Sequence, residues 1–303
     1  MSARYDVLGI GQCSLDDVAQ VDASPAPGGK ARMRERRLLP GGQIASALLG
    51  CARLGHAAAF ASSVGDDEAA EAVLAPLRAA GIDLARVRCV PGARTQSAWI
   101  WIEAGRGERT VLWDRDERLA LPADAISRAD IAAARVVLLD AGDLALSLRV
   151  ATLARELDKP CVLDADTTAP GIEELLARAS HPVISEPLAR ALYGDAESAV
   201  RALARRGAQL PVVTRGAAGA VAVSEGALRA SAAFAIDAVD TTGAGDAFHA
   251  GIVHGLLQGV SGDELYRVVH AVAACACLAL GAQAGLPDRK QLAAFLARTP
   301  RRA

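Results

Sequence analysis

The sequence predicts an α/β domain whose mostly parallel central sheet is covered by helices on both faces, with a small β-strand lid. Three observations carry this. Apolar runs alternate with helical patterns along most of the chain. Those runs are near-continuous rather than alternating, as in strands buried on both faces. Two stretches, residues 30–39 and 97–113, interrupt the rhythm with short extended segments.

The expected strands of the main sheet are Tyr5–Gly11, Ala58–Ser63, Arg135–Asp140, Pro160–Asp164, Pro182–Ser185 and Pro211–Thr214. Helical periodicity places helices at Gln43–Leu54, Glu68–Ala80, Leu144–Leu157, Glu173–Arg178, Ala196–Arg206, Gly245–Leu257 and Gly262–Leu280. Lys30–Leu39 is basic and extended. Ser97–Glu103 and Glu108–Trp113 read as a hairpin around Ala104-Gly105-Arg106-Gly107, with Trp99 and Trp101 on one face. These inserted strands suit a lid or a dimer patch. The whole chain, 1–303, is expected to form one domain, with lid strands from about residues 16–40 and 94–114. In sheets of this kind ligands bind at the carboxyl ends of the strands.

Composition narrows the function. Of 303 residues, 52% are apolar and 22% charged, and the formal net charge of −2 gives no reason to expect nucleic acid or an anionic membrane as partner. The six cysteines fall in apolar segments, the habit of reduced core thiols in a cytoplasmic protein. Cys275 and Cys277 are expected inside one helix, turned about 200° apart, which does not suit a shared metal. The longest apolar run, Ala271 to Leu280, falls short of the roughly 20 residues that span a bilayer. Gly9-Ile10-Gly11 lacks the third glycine and the following helix of a dinucleotide fingerprint. No G-x-x-x-x-G-K-[ST], H-E-x-x-H or G-x-S-x-G occurs. His249 and His254, five residues apart, do not align as i, i+4 ligands would and are expected to pack or face solvent.

One segment carries chemistry: Asp240-Thr241-Thr242-Gly243-Ala244-Gly245-Asp246, between a strand-like Ala235–Val239 and a helix. The first amides of a helix lack intrahelical partners and sit at the positive end of its dipole. Glycines let an anion approach them. An Asp in the first turn can face the same pocket. A bare G-x-G-D would more often be a helix cap; the seven-residue string joins an anion cradle, Gly243, Ala244 and Gly245, to a base, Asp246. That combination suits phosphoryl transfer to a hydroxyl, which needs positioning and electrostatics more than covalent chemistry.

The same string resembles the signature of the ribokinase-like (PfkB) carbohydrate kinase family. Further matches occur in family order: Gly41-Gly42-Gln43-Ile44-Ala45-Ser46-Ala47 running into Ala52-Arg53-Leu54-Gly55, then Val64-Gly65-Asp66-Asp67, Val213-Thr214-Arg215-Gly216 with Gly219, and Gly281-Ala282-Gln283 before Pro287. The resemblance implies a ribokinase-like three-layer αβα fold, ATP and Mg2+ as cofactors and a sugar substrate; the aromatics of the lid strands suggest a homodimer through the lid. It implies Asp246 as catalytic base and the Gly243–Gly245 amides as anion hole. Asp16, Gly41, Gly42, Gln43 and Ser46 are implied for the sugar, and Thr214, Arg215, Gly216 and Gly219 for the nucleotide. Asp240 and Thr242 match positions that bind a potassium ion in some members.

The chain departs from the family pattern in two places. Ser46 stands where Asn is common. At Ile184-Ser185-Glu186-Pro187-Leu188 the family shows Asn with Glu three residues on, a pair linked to magnesium and phosphate. Ser185 and Leu188 replace them, which leaves Ser185 and Glu186 as the local polar groups. The Ser-Glu-Pro form and Asp164-Ala165-Asp166-Thr167 are similar to the sulfofructose kinase branch. On that footing Lys30 and the nearby arginines are expected to meet a distal phosphate or sulfonate, against the plainer reading of a solvated strand edge. A nucleoside kinase, or a sugar-binding relative without turnover, fits the same motifs.

Overall fold

The computed structural model of the chain describes residues 4–104 and 107–298. Gly105 and Arg106, at the expected hairpin tip, lie outside the described residues.

Its strands are β1 (Tyr5–Ile10), β2 (Ser14–Val21), β3 (Met33–Gly41), β4 (Ala58–Gly65), β5 (Asp83–Val90), β6 (Ser97–Glu103), β7 (Arg109–Asp114), β8 (Ala134–Asp140), β9 (Cys161–Ala165), β10 (His181–Ser185), β11 (Val212–Thr214), β12 (Ala220–Ser224) and β13 (Ala227–Ser231). Its helices are α1 (Gln43–Arg53), α2 (Glu68–Ala79), α3 (Arg128–Ala132), α4 (Leu144–Glu156), α5 (Ile172–Arg178), α6 (Glu186–Tyr193), α7 (Ala196–Arg205), α8 (Ala244–Gln258), α9 (Gly262–Ala276) and α10 (Arg289–Arg298). Nine strands form the main sheet in the order β13-β12-β11-β10-β9-β8-β1-β4-β5, parallel except for the β11–β12–β13 end. Four form the lid in the order β3-β2-β6-β7.

The apolar strands bury both faces because successive side chains point opposite ways. Val136 and Leu138 of β8 pack into the core beneath α1, α8 and α9, while Val137 and Leu139 pack into the other beneath α4, α5 and α7. Full burial of each such side chain is worth about 1.5–3 kcal/mol. The result is a three-layer αβα body of the ribokinase-like type.

Several elements differ from expectation. Residues 235–239 form no strand: Val239 N–H donates to the Cys277 carbonyl at 2.9 Å, so this segment spends its bonds on a helix end instead of a sheet. Helix α9 stops at Ala276 rather than Leu280, with Cys277 as its cap and Leu278 N–H tightening onto the Cys275 carbonyl at 3.1 Å. Cys89 is exposed on edge strand β5, while the other five cysteines are buried. β5 was hidden from the apolar pattern by its charges, Asp83, Arg86 and Arg88, which suit a sheet edge. The β12–β13 hairpin turns on Glu225 and Gly226, both at positive φ, without the Asn-Gly or Asp-Gly pair that usually signals it.

In the lid, register sets the two faces. Trp99 lies opposite Leu112, and Trp101 opposite Thr110, on the outer side. Ala98, Ile100, Arg109, Val111 and Trp113 face the body across a cleft. Trp99, Leu112 and Leu38 are 65%, 57% and 62% exposed.

Candidate active site

A cleft of about 1370 Å³ runs under the lid along the carboxyl ends of the parallel strands. Asp16, Gly42, Gln43, Ser185, Thr214, Gly216, Gly219, Thr242, Gly243, Ala244, Gly245 and Asp246 all line it, so most of the residues singled out in the sequence converge.

At one end stands Asp16, on the inward face of β2 and 4% exposed. Its Oδ1 accepts from Ser14 Oγ at 2.6 Å. Gly41 serves by having no side chain, since a Cβ there would overlap the Asp16 carboxylate. Gly42, at φ 92°, turns the chain into α1 hard against Cys13. Burial pushes the Asp16 carboxyl up to about 6, with Asp240 adding to the shift and Ser14 opposing it.

Beside Asp16 runs a chain of amides of which sequence reasoning named only Gln43. Gln96 Nε2 donates to Gln12 Oε1 at 2.7 Å, Gln12 Nε2 reaches Gln43 Oε1 at 3.4 Å, and Gln43 Nε2 reaches Asp166 Oδ2 at 3.4 Å. The Gln12 backbone is pinned by buried Asp140, whose carboxylate accepts Gln12 N–H at 2.7 Å and Gly142 N–H at 2.9 Å. Gln12 could have been suspected, because it follows β1 at a carboxyl end.

The centre of the cleft is the turn into α8. Gly243, at φ 77° and packed on Ala282, caps the helix, and Asp246 lies in its first turn. Ala244 N–H closes a 3.2 Å turn onto the Thr241 carbonyl. Among the described residues, the amides of Gly243 and Gly245 have no backbone acceptor. Of the three amides named from the sequence one is engaged and two are open, and the Asp246 amide beside them likewise has no backbone acceptor among the described residues. Asp240, fully buried, holds the turn from behind: Oδ1 accepts Thr242 N–H and Oδ2 accepts Gly281 N–H, both at 2.7 Å. Thr242 Oγ1 is buried without a partner among the described residues.

Two groups beneath the turn complete the site. His249, one helical turn after Gly245, is 2.7 Å through Nδ1 from the Gly245 carbonyl and 3.5 Å from Asp164 Oδ2. It is 3% exposed and borders the cleft, while His254 packs against His56 at 2.8 Å. Asp164 is the last residue but one of β9, a carboxylate at a strand's carboxyl end, which was the signal for it. Burial raises Asp246 to about 8, with Asp164 adding to the rise while His249 and Arg109 oppose it. Asp164 is raised by burial and by Asp166. Two carboxylates in one desolvated place do not both ionise without a counter-ion.

At the other end, Thr214, Gly216 and Gly219 meet a wall containing Phe234, Ile236 and Ala274. Arg215 does not line the cleft; it braces its own loop through Ala218 O at 3.2 Å. Ser185 Oγ caps α6 by accepting Leu188 N–H at 3.3 Å and donates to Asp166 O at 3.2 Å. Glu186 lies outside the lining and faces Arg190. Ser46 is buried within α1, 3.4 Å from Gln283 Nε2, and not in the cleft. Lys30 is exposed and outside the lining, and Arg34, Arg36 and Arg37 pair with Asp22, Asp17 and Glu35. These basic side chains are spent on the lid's own carboxylates.

Asp164 and Asp166 offer hard carboxylate oxygens that fit Mg2+ at the phosphate end. Among the described residues no group of three His, Cys, Asp or Glu side chains is assembled to hold a metal alone. That suits an ion that keeps its waters and binds through nucleotide phosphates.

The model of the pfkB family carbohydrate kinases matches residues 5–289. A ribokinase of Haemophilus influenzae is 28% identical over 302 residues, covering 97% of this chain and 99% of its own length. The crystal structure of an Agrobacterium tumefaciens protein superimposes with a TM-score of 0.88 at 32% identity, covering 96% of this chain and 97% of that one. Arabidopsis thaliana ribokinase, complexed with ribose and ATP, shares the fold with a TM-score of 0.79 at 22% identity, covering 98% and 99%. With a glycine turn and a carboxylate opening into one cleft, and similarity spanning nearly the whole length, the chain belongs to the pfkB family of carbohydrate kinases.

Proposed function

We propose that the chain transfers the γ-phosphate of ATP to a hydroxyl of a sugar or sugar derivative, with Asp246 as base. One observation carries this reading: Asp246, the Gly243 and Gly245 amides and Asp16 share a single cleft. Asp16 and the Gln12–Gln43 amides hold the sugar hydroxyls. Asp246 accepts the proton of the reacting hydroxyl, and the oxygen attacks phosphorus in line as the bond to ADP breaks. The open amides hold charge gathering on the transferring group. Mg2+, when bound with the nucleotide, neutralises phosphate charge. Thr214, Gly216 and Gly219 border the nucleotide, whose base meets Phe234 and Ile236.

Three finer assignments belong with this reading. The unpartnered Thr242 hydroxyl beside Asp240 supports a potassium site there. The exposed outer face of the lid, where Trp99 lies opposite Leu112 and Leu38 stands one strand beyond Asp17, supports a homodimer, because exposed large apolar side chains are costly in water. Placement near the sulfofructose kinases keeps only the Asp164-Ala165-Asp166 and Ser-Glu-Pro segments in its favour, since Lys30 stands away from the cleft. A coupled ADP-release screen over aldoses, ketoses, their phosphates, sulfosugars and nucleosides tests the function. Sugar-dependent ADP release is expected; sugar binding without release would make the chain a sensor, and release with nucleosides alone would make it a nucleoside kinase.

A further inference from the structure

Arg109 opens β7, and strand alternation sends residues 109, 111 and 113 to the face that closes the cleft. Its Nη1 donates to the Thr241 carbonyl at 3.2 Å and to Thr241 Oγ1 at 3.4 Å. Thr241 replies through N–H and Oγ1, which donate to Gly107 O at 3.2 and 2.7 Å. The base of the lid hairpin is thus fastened to the residue that precedes the glycine turn. The guanidinium also stands where its charge is felt by both Asp16 and Asp246, the two ends of the proposed reaction.

The balance of charge gives this position its meaning. Five carboxylates, from Asp16, Asp164, Asp166, Asp237 and Asp246, line the cleft, and a nucleotide triphosphate adds further negative charge. Among the described residues, two arginines line it. Arg115 is closed onto Asp143 by two bonds of 2.9 Å. Arg109 is held instead by the neutral oxygens of Thr241, so its charge remains available to an anion.

We propose that Arg109 is a further catalytic residue, whose guanidinium contacts the transferring phosphoryl group from the lid side. This rests on the phosphotransfer reading above. As the acceptor oxygen forms its bond to phosphorus, its proton passes to Asp246, and the bridging oxygen leaves with the electron pair on ADP. Arg109 keeps its protons and makes no covalent bond. Its forked donors hold the oxygens across which charge spreads.

The test measures binding of MgADP and of the magnesium complex of the β,γ-imido ATP analogue, by calorimetry without sugar, to wild type, Arg109→Gln and Arg109→Lys. Arg109→Gln is expected to bind MgADP within about twofold of wild type and the analogue about tenfold or more weakly. Arg109→Lys should recover part of the loss, since it restores charge without the fork. Equal weakening toward both nucleotides would reduce Arg109 to a lid latch, and no change toward either would exclude it from the phosphate site; both overturn the proposal. A wild-type protein that bound neither nucleotide would overturn the phosphotransfer reading itself.

Discussion

The imidazole of His249 lies 3.5 Å from the carboxylate of Asp164, at the floor of the cleft and one helical turn from Gly245. Burial depresses the imidazole pKa and raises that of Asp164. Both are therefore pushed toward their neutral forms, and the charge of Asp164 in turn raises the carboxyl of Asp246 on α8.

Asp246→Asn is expected to lower kcat at least a hundredfold with little change in ATP affinity, because general base catalysis is worth about 10² to 10⁴. Steady-state kinetics with the sugar found by the screen check this. Near-wild-type turnover would remove Asp246 from the base role.

The acid limb of kcat/KM should report the raised Asp246. A base works when deprotonated, and its carboxyl is pushed up to about 8, so activity should fall as pH drops below that value. Asp164→Asn removes the neighbouring negative charge and should move the limb to lower pH. A profile unmoved by that substitution would show that the two carboxylates do not interact.

Asp16→Ala should raise the sugar KM about tenfold or more and leave the KM for ATP within about twofold, because a charge-assisted hydrogen bond is lost at one end only. A rise confined to ATP would place the sugar elsewhere.

Acid stability has a different source. His254 is pushed down to about 4 by burial, and His56 is also lowered. The unfolded chain takes up protons near 6.5 that the folded pair refuses. Stability from this pair is thus fully present above about 6.5 and is lost as pH falls toward 4. Asp16 and Asp140, both raised to about 6, act in the opposite sense: their burial weakens the fold most above about 6, and protonation relieves it below. Melting temperatures of wild type and His254→Gln at pH 7.5 and 5 separate the two, the variant losing less on acidification. An equal loss would discard the histidine account.

Leu112→Glu on the outer face of the lid should shift a dimer to monomer in light scattering, with the fold retained by circular dichroism. An unchanged mass, dimeric or monomeric, would mean that this face is no interface.

The main sheet and the glycine turn were legible because each depends on local pattern: continuous apolar runs for β8 and β9, and a left-handed glycine before α8. Gln96, Arg109 and His249 were not. Gln96 matters through Gln12, 84 residues away, and Arg109 through Thr241, 132 residues away. Such pairings follow from where the lid lands on the body, which no periodicity encodes. Ser46 and Lys30 fall outside the cleft lining, a placement the sequence does not give, since a motif fixes residue type but not the direction of a side chain. Cleft-facing alternation in β7 would have revealed Arg109 once the hairpin's register was known.

The fastening of Gly107 and Arg109 to Thr241 has a mechanical consequence. On the proposed function, a sugar that entered by lifting the hairpin would pull on Thr241, two residues before Gly243, so an open entrance and a finished turn would compete for one threonine. Turnover and admission are then set by the same hinge, and loosening it should hasten entry while slowing the chemical step.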